Sequence, residues 1–294
     1  MEYEVRHRTT YRYLHSVSYS CHLAHLTPRE TAAQHVAESE LTVSQVPARR
    51  YAMDDFFGNR TQWFAIDSAH TVLDVLSRSR VSVAAAPLPD AQASMAWEKV
   101  RTSLGYAPDD AAREAIEFVF DSPLTGARAA IAVYAALSFP RGRPVLSGAL
   151  DLMHRIHKDF QYDTTVTDAT TPVDRVFQIR SGVCQDLAHV GIACLRSLGL
   201  AGRYVSGYLL TQPPPGQKRL LGADASHAWF AVWAPPFGWV DLDPTNDMPA
   251  GEGHVTLAWG RDYSDVAPLN GIVTGGGDHI VEVGVDVVPI DAAE

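Results

Sequence analysis

The sequence predicts an α+β protein, with strand-forming segments on either side of a helical middle. Three observations carry this expectation. From Tyr3 to about Val83, the segments YEVRHRTTYRYL, ESELTVSQV, TQWFAI and TVLDVLSRSRVSV alternate polar and apolar residues with period two and are rich in Thr, Val and Tyr. From there to Leu200 the apolar period lengthens to that of helices, and after Leu200 it shortens again in RYVSGYLL, WFAVWAPPFGWVDLD and HIVEVGVDVVPI. Strands and helices come in runs, whereas an α/β fold would alternate them.

Taken in order, DDFFGNR at Asp54–Arg60 reads as the turn between two strands of an antiparallel module. APLPD, at Ala86–Asp90, punctuates the end of that module with two prolines. Helical segments follow in AAREAIEFVF, ARAAIAVYAALSF and SGALDLMHRIHKDF, the last with Leu150, Met153, Ile156 and Phe160 at helical spacing. Thr171 is placed to cap the next helix, with Pro172 at its first position. RSGVCQDLAHVGIACLRSLGL supplies a further helix that Gly199 closes. Gly275–Gly277 reads as a hairpin turn before a last strand that returns to the N-terminal sheet. The expected divisions are a β module at 1–86, a helical segment at 87–144, a core at 145–250 and a C-terminal β extension at 251–294.

Composition narrows the function classes. Apolar residues are 46% and charged residues 20% of the 294 positions, the balance of a folded globular chain. A formal net charge of -10 opposes binding to nucleic acid or to an anionic membrane. The first twenty residues lack the apolar core of a signal peptide, and no apolar run approaches the ~18 residues of a membrane span, so a cytoplasmic location is expected. Three cysteines on a long chain are not a disulfide framework.

Each cysteine is therefore a core filler or a reagent. Cys194 falls on the apolar stripe of its helix with Leu187, Leu195 and Leu198, the place of a buried thiol. Cys184 follows Ser181-Gly182 and falls in the first helical turn, where free N–H groups and the macrodipole favour a thiolate. Position alone leaves a structural role equally open. A nucleophile needs a base and the base an orienting group. His227 and Asp243 fall near each other if the strands around Pro235–Gly238 pair as a hairpin, with Asp241 a competitor two residues away on the same face. His22/His25 and His154/His157 have i, i+3 spacing but no completing carboxylate or cysteine nearby, so no metal is expected there. Asp241, Asp243, Thr245, Asp247 and Glu252 match a calcium-loop template only superficially, because Asn246 stands where glycine is needed.

Three motifs together resemble the transglutaminase-like superfamily in its bacterial branch of cysteine proteases: GVCQDLAH at Gly182–His189, SHAWFAVW at Ser226–Trp233 and GWVDLDPTN at Gly238–Asn246. LTPRETAAQ at Leu26–Gln34 and DDFFGN resemble that branch's N-terminal region, and GRDYSDVAPLNG at Gly260–Gly271 its C-terminal extension. The resemblance implies a papain-like core, with a catalytic helix packed on an antiparallel sheet. It implies Cys184 as nucleophile, His227 as base and Asp243, directly before Pro244-Thr245, as orienting acid. Leu187 departs from the branch's commoner phenylalanine, a packing change. The implied chemistry is acyl transfer at a peptide or protein amide through a thioester, with no cofactor. Water as acceptor makes a peptidase or amidase, an amine makes a transglutaminase. Tyr162 is a second candidate oxyanion donor, by analogy with an aromatic side chain in some relatives. Specificity is expected in the loop at Thr211–Asp224. The alternative is a non-catalytic peptide-binding or scaffold protein retaining the fold.

Overall fold

A computed structural model describes residues 1–85, 87–107, 109–126, 128–211 and 225–290. The loop expected to form a specificity rim therefore lies, apart from Thr211, outside the described residues. The N-terminal module opens with β1 (Glu2–Ala24), β2 (Gln34–Val43), β3 (Arg49–Asp54), β4 (Arg60–Ile66) and β5 (His70–Val83). Then come α1 (Trp97–Tyr106), α2 (Asp110–Ile116), α3 (Ala129–Ala136), α4 (Val145–Asp159), β6 (Gln161–Tyr162), α5 (Val173–Ile179), β7 (Ser181–Gly182) and α6 (Cys184–Ser197). The chain continues through β8 (Gly202–Leu209), β9 (Ala225–Trp233), β10 (Trp239–Asp243), β11 (Met248–Pro249) and β12 (His254–Gly260) to α7 (Tyr263–Val266), β13 (Leu269–Gly275) and β14 (His279–Ile290). This is the mixed architecture that the runs of periodicity predict.

Among the described residues, two large sheets, the short parallel pair β6-β7 and one helical layer position the site. The larger sheet is ordered β2-β5-β1-β4-β3, with β13 and β14 also paired to β1. Strand β1 is 23 residues long and buries alternate residues Tyr3, Val5, His7 and Thr9 at its start, as one-sided burial of a period-two pattern requires. It is long enough to hold β14 along Glu2–Tyr13 and β13 along Val17–Ala24. The glycine run at 275–277 is accordingly not the turn of a hairpin between β13 and β14, because both strands follow β1. It is a break between two strands laid end to end, with φ of 93°, 81° and 65°. A Cβ at Gly275 would lie 2.7 Å from the Ser16 carbonyl oxygen, so the left-handed backbone and the close approach both call for glycine.

The smaller sheet is ordered β11-β10-β9-β8-β12 and is antiparallel throughout. Its two faces bury different residues. Ala228, Phe230, Val232, Val240 and Leu242 join the main core with Leu187, Val190, Cys194 and Leu195 of α6. Val205, Trp229 and Ala231 form a separate cluster on the opposite face. At about 1.5–3 kcal/mol for each large aliphatic residue fully buried, packing rather than intrinsic propensity holds α6 in place. The expected cap of α5 shifts by one residue: Pro172 is extended (φ -72°, ψ 149°) and is itself the N-cap, while the Thr171 hydroxyl accepts from the Asp168 N–H. No helix of the described residues is long and apolar enough to cross a membrane.

Candidate active site

Cys184 is the first residue of α6 and is half-buried. An extended Val183 (φ -105°, ψ -178°) delivers the chain to the helix, and the Val183 N–H donates to Asp186 Oδ2 at 2.8 Å. The Thr167 hydroxyl donates to the same oxygen at 2.7 Å. Asp186 thus ties the first turn to the segment before α5, taking the Val183 N–H rather than that of Cys184. Tyr162 is beside this turn: β6 and β7 pair in parallel with Tyr162 opposite Gly182. Partial burial, and then the nearby charge of Cys184, raise the Tyr162 phenol pKa and keep it protonated. Cys194 is fully buried, and burial pushes its thiol up to about 12, which makes it inert at neutral pH.

His227 comes from β9, opposite Gly207 of β8. Any side chain at Gly207 would collide with the Trp229 indole at 2.5 Å and the Val255 carbonyl at 2.2 Å, so the missing side chain is what lets Trp229 lie across the sheet beneath the imidazole. His227 Nε2 is 2.7 Å from Asp243 Oδ2, and the ring lies close enough to Cys184 to feel its charge. With Nε2 committed to the carboxylate, Nδ1 is the nitrogen left for the thiol.

Asp243, fully buried at the end of β10, is the hub. Its Oδ1 accepts the N–H groups of Thr245 at 2.9 Å and Asn246 at 3.2 Å. Its Oδ2 takes His227, Asn246 Nδ2 at 2.7 Å and His254 Nε2 at 3.1 Å. The tautomer of His254 follows from its other nitrogen: Nδ1 accepts the Gly251 N–H at 3.1 Å, so Nε2 carries the hydrogen and donates. His227, Asp243 and His254 are also the one group of potential metal ligands clustered among the described residues. With the His254 Nε2 lone pair occupied by a proton, the arrangement is that of a hydrogen-bonded carboxylate.

Burial alone would hold His227 neutral, but the hydrogen bonds and charges of Asp243 and Cys184 outweigh it and raise its pKa to about 9. Burial would also raise the Asp243 carboxyl pKa, and the donors from His227, His254 and Asn246 reverse this, holding it well below the usual carboxylate range. The signs give a stability prediction. A histidine raised from 6.5 to about 9 adds stability that is complete below pH ~6.5 and lost as pH rises through ~9. A depressed Asp243 adds stability present above pH ~4 and lost at lower pH. Urea denaturation should therefore show the wild type exceeding His227→Gln by on the order of 1–3 kcal/mol more at pH 6 than at pH 9.5. A difference independent of pH would contradict the raised imidazolium.

The structure thus brings Cys184, His227 and Asp243 together, with His227 hydrogen-bonded to Asp243 and under the electrostatic influence of Cys184, and Tyr162 beside the cysteine. Asp241 is turned to other partners, accepting from Trp229 Nε1 at 3.0 Å and facing Arg203 Nη2 at 3.5 Å. His154 and His157 on α4 clamp the loop after the acid: His154 pairs with Asp247, and His157 Nδ1–H donates to the Thr245 carbonyl at 3.1 Å. His22 stacks on Phe64 at 5.0 Å, and burial, with His70 nearby, lowers its pKa to about 4. His254 and Asn246 were not singled out from the sequence. Asn246 ends a quoted motif and was legible there, whereas the PAGEGHV context of His254 gives no signal.

Comparison with known proteins agrees with the motifs. Residues 3–82 match the bacterial transglutaminase-like N-terminal region, and residues 140–244 match the transglutaminase-like superfamily. A Mycobacterium tuberculosis protein is 40% identical over 297 residues, 98% of this chain and 93% of its own length. A Mycobacterium leprae protein is 33% identical over 96% of this chain and 97% of its own. The protein-glutamine gamma-glutamyltransferase of Pseudomonas aeruginosa is 35% identical over 92 residues, 30% of this chain and 14% of its own. A solved structure from Cytophaga hutchinsonii, described provisionally as a cysteine protease, superposes with a TM-score of 0.72 at 20% identity, covering 100% of this chain and 92% of its own. At that identity the likeness is one of fold. With both its N-terminal module and its cysteine-bearing core matched, and relatives similar along nearly its full length, this chain belongs to the transglutaminase-like superfamily.

Proposed function

We propose that the protein is a thiol-dependent acyl-transfer enzyme acting on amide bonds through Cys184, His227 and Asp243. The observation that carries this reading is the convergence of a cysteine at a helix N-terminus, a buried imidazole that responds to its charge, and a carboxylate that binds that imidazole and accepts five hydrogen bonds in all. In the proposed mechanism the nucleophile is the Cys184 sulfur as a thiolate, an anion that a helix N-terminus favours, and His227, its pKa raised to about 9, is the imidazolium beside it. The sulfur attacks the amide carbon, the C–N bond breaks, and the His227 proton passes to the departing amine, leaving a thioester and a neutral imidazole. That imidazole then takes the proton of the attacking water or amine, the acyl group leaves sulfur, and the ion pair is restored.

The oxyanion of each tetrahedral step needs preorganised donors. The Cys184 N–H at the helix end is one, and the protonated phenol of Tyr162 is the second. Tyr162→Phe should lower kcat on a peptide amide by about 100-fold with a smaller change in KM. An unchanged kcat would restrict Tyr162 to lining the site.

Site-resolved iodoacetamide alkylation of the native protein, read by mass spectrometry, tests the reading without a known substrate. Cys184 should react at least ~10-fold faster than Cys21 and Cys194, and His227→Ala should remove that advantage. Equal reactivity at the three cysteines would sink the proposal and leave a scaffold that retains the fold.

A further inference from the structure

Between the face of the smaller sheet turned away from α6 and the N-terminal module is a cavity of about 920 Å³. Phe57, Phe118, Trp239 and Trp259 wall it, and Arg29 and Arg203 supply its cations. Cavities of roughly 300–1,000 Å³ at the meeting of two modules, mostly aromatic with a few polar groups, are the form that small-molecule sites take. Neither Cys184 nor Tyr162 lines it.

Two buried arginines in this protein are treated differently. Arg196, 5% exposed, is fully used: Nε donates to Phe118 O, Nη1 to the Ser122 and Thr125 hydroxyls, and Nη2 to the carbonyls of Gly202 and Arg261. Arg203, 7% exposed, has Asp241 at 3.5 Å as its one polar partner among the described residues, and its Nε has none. A guanidinium carries five donors, and buried donors are costly to leave unpaired. Indole rings cover it, Trp259 at 3.9 Å and Trp239 at 4.6 Å from its central carbon, so the outer Nη edge is where a partner can approach.

Acceptors nearby are already taken. Asp241 holds the Trp229 indole N–H as well as Arg203. Asp55, behind Arg29, accepts from the N–H groups of Phe57 and Asn59 and from Asn59 Nδ2. Arg29 lies 3.6 Å over the Trp259 ring that Arg203 also covers, and its Nε too is unpartnered. Glu114 and Glu117 line the cavity but are exposed, where solvent and salt screen them. His254 also reaches the cavity, with both ring nitrogens engaged.

We propose that this cavity is a second binding site, distinct from the cysteine centre, for a small organic anion with a planar apolar body. The anionic head accepts from the free edge of Arg203 in the plane of the guanidinium, and the body fills the space between the aromatic walls.

The test is fluorescence titration of the full chain with 1-anilinonaphthalene-8-sulfonate and, in parallel, with uncharged N-phenyl-1-naphthylamine. The sulfonate should bind at one site per chain. Arg203→Met should weaken it about 10-fold or more while changing the uncharged dye less than about 3-fold. Asp241→Asn, which frees Arg203 of its acid, should tighten the sulfonate several-fold. Ala84→Trp, at an exposed lining position, should weaken both dyes. These last two variants decide the matter if Arg203→Met fails to fold. Absence of sulfonate binding, or binding that Asp241→Asn and Ala84→Trp leave unchanged, overturns the proposal. Equal loss of both dyes in a folded Arg203→Met overturns the anionic head.

Discussion

Cys184→Ala, His227→Ala and the double variant are expected to be equally inert, each about a million-fold below wild type in kcat on a peptidyl amide. The equality is the informative part. Were the thiol and the imidazole independent aids, their losses would add in free energy and the double variant would fall far below either single one. In the proposed mechanism they act as one ion pair: without His227 the sulfur loses the charge that holds it as thiolate and the amine loses its proton donor, and without Cys184 the imidazolium has nothing to pair. The same magnitude is known for a serine nucleophile and its histidine, where the residual rate over water comes from the oxyanion hole and substrate binding. The check is single-turnover amide cleavage, read as release of the amine, with circular dichroism to show that each variant keeps its fold. A double variant much slower than both singles would mean that His227 works on something other than Cys184.

Much of this site was legible in the sequence because its parts lie at element ends. A cysteine following Ser-Gly at the start of a helical stripe and a histidine opening a strand are positions that local patterning marks. The choice between Asp241 and Asp243 was not local. Both point to the same face of β10, and what separates them are partners distant in the chain: Arg203 and Trp229 around the first, His227 and His254 around the second. The family's Asp-Pro-Thr spacing, and not periodicity, made the selection. The α+β layout was legible for a similar reason, since runs of period two and 3.6 survive in any window. The fate of Gly275–Gly277 was not, because a hairpin and a break between two collinear strands present the same local signal. Only the 23-residue length of β1, against which both strands can lie, distinguishes them. His254 is likewise invisible to pattern: it reaches Asp243 because the chain after β11 crosses to the opposite edge of the sheet, where His254 opens β12 beside β8.

Asp243→Asn is expected to cut kcat by about four orders of magnitude, by the logic of the serine triad in which the same exchange leaves geometry intact and sets the wrong imidazole tautomer. The reason here is in the donors. Both carboxylate oxygens face hydrogen-bond donors alone: two backbone N–H groups at Oδ1, and His227, His254 and the Asn246 amide at Oδ2. An asparagine has one oxygen to offer. If it serves the backbone groups, its NH₂ confronts His227 Nε2, which must then accept and place its hydrogen on Nδ1. The neutral ring then presents N–H to Cys184 and has no lone pair with which to take the thiol proton, and the imidazolium loses the anion that sustained it. If the oxygen turns instead to His227, the backbone N–H groups of Thr245 and Asn246 are left unpaired in a buried place, and the loop that His154 and His157 hold is strained. The first arrangement predicts a catalytic loss with the loop unmoved, seen as a collapse of kcat with near-UV circular dichroism unchanged. Asp241→Asn is the matched comparison. It removes an acid from the same strand face but touches no donor of the triad, so its activity should stay within a few-fold of wild type. Retention of activity by Asp243→Asn together with its loss in Asp241→Asn would transfer the orienting role to Asp241 and require His227 to turn toward it.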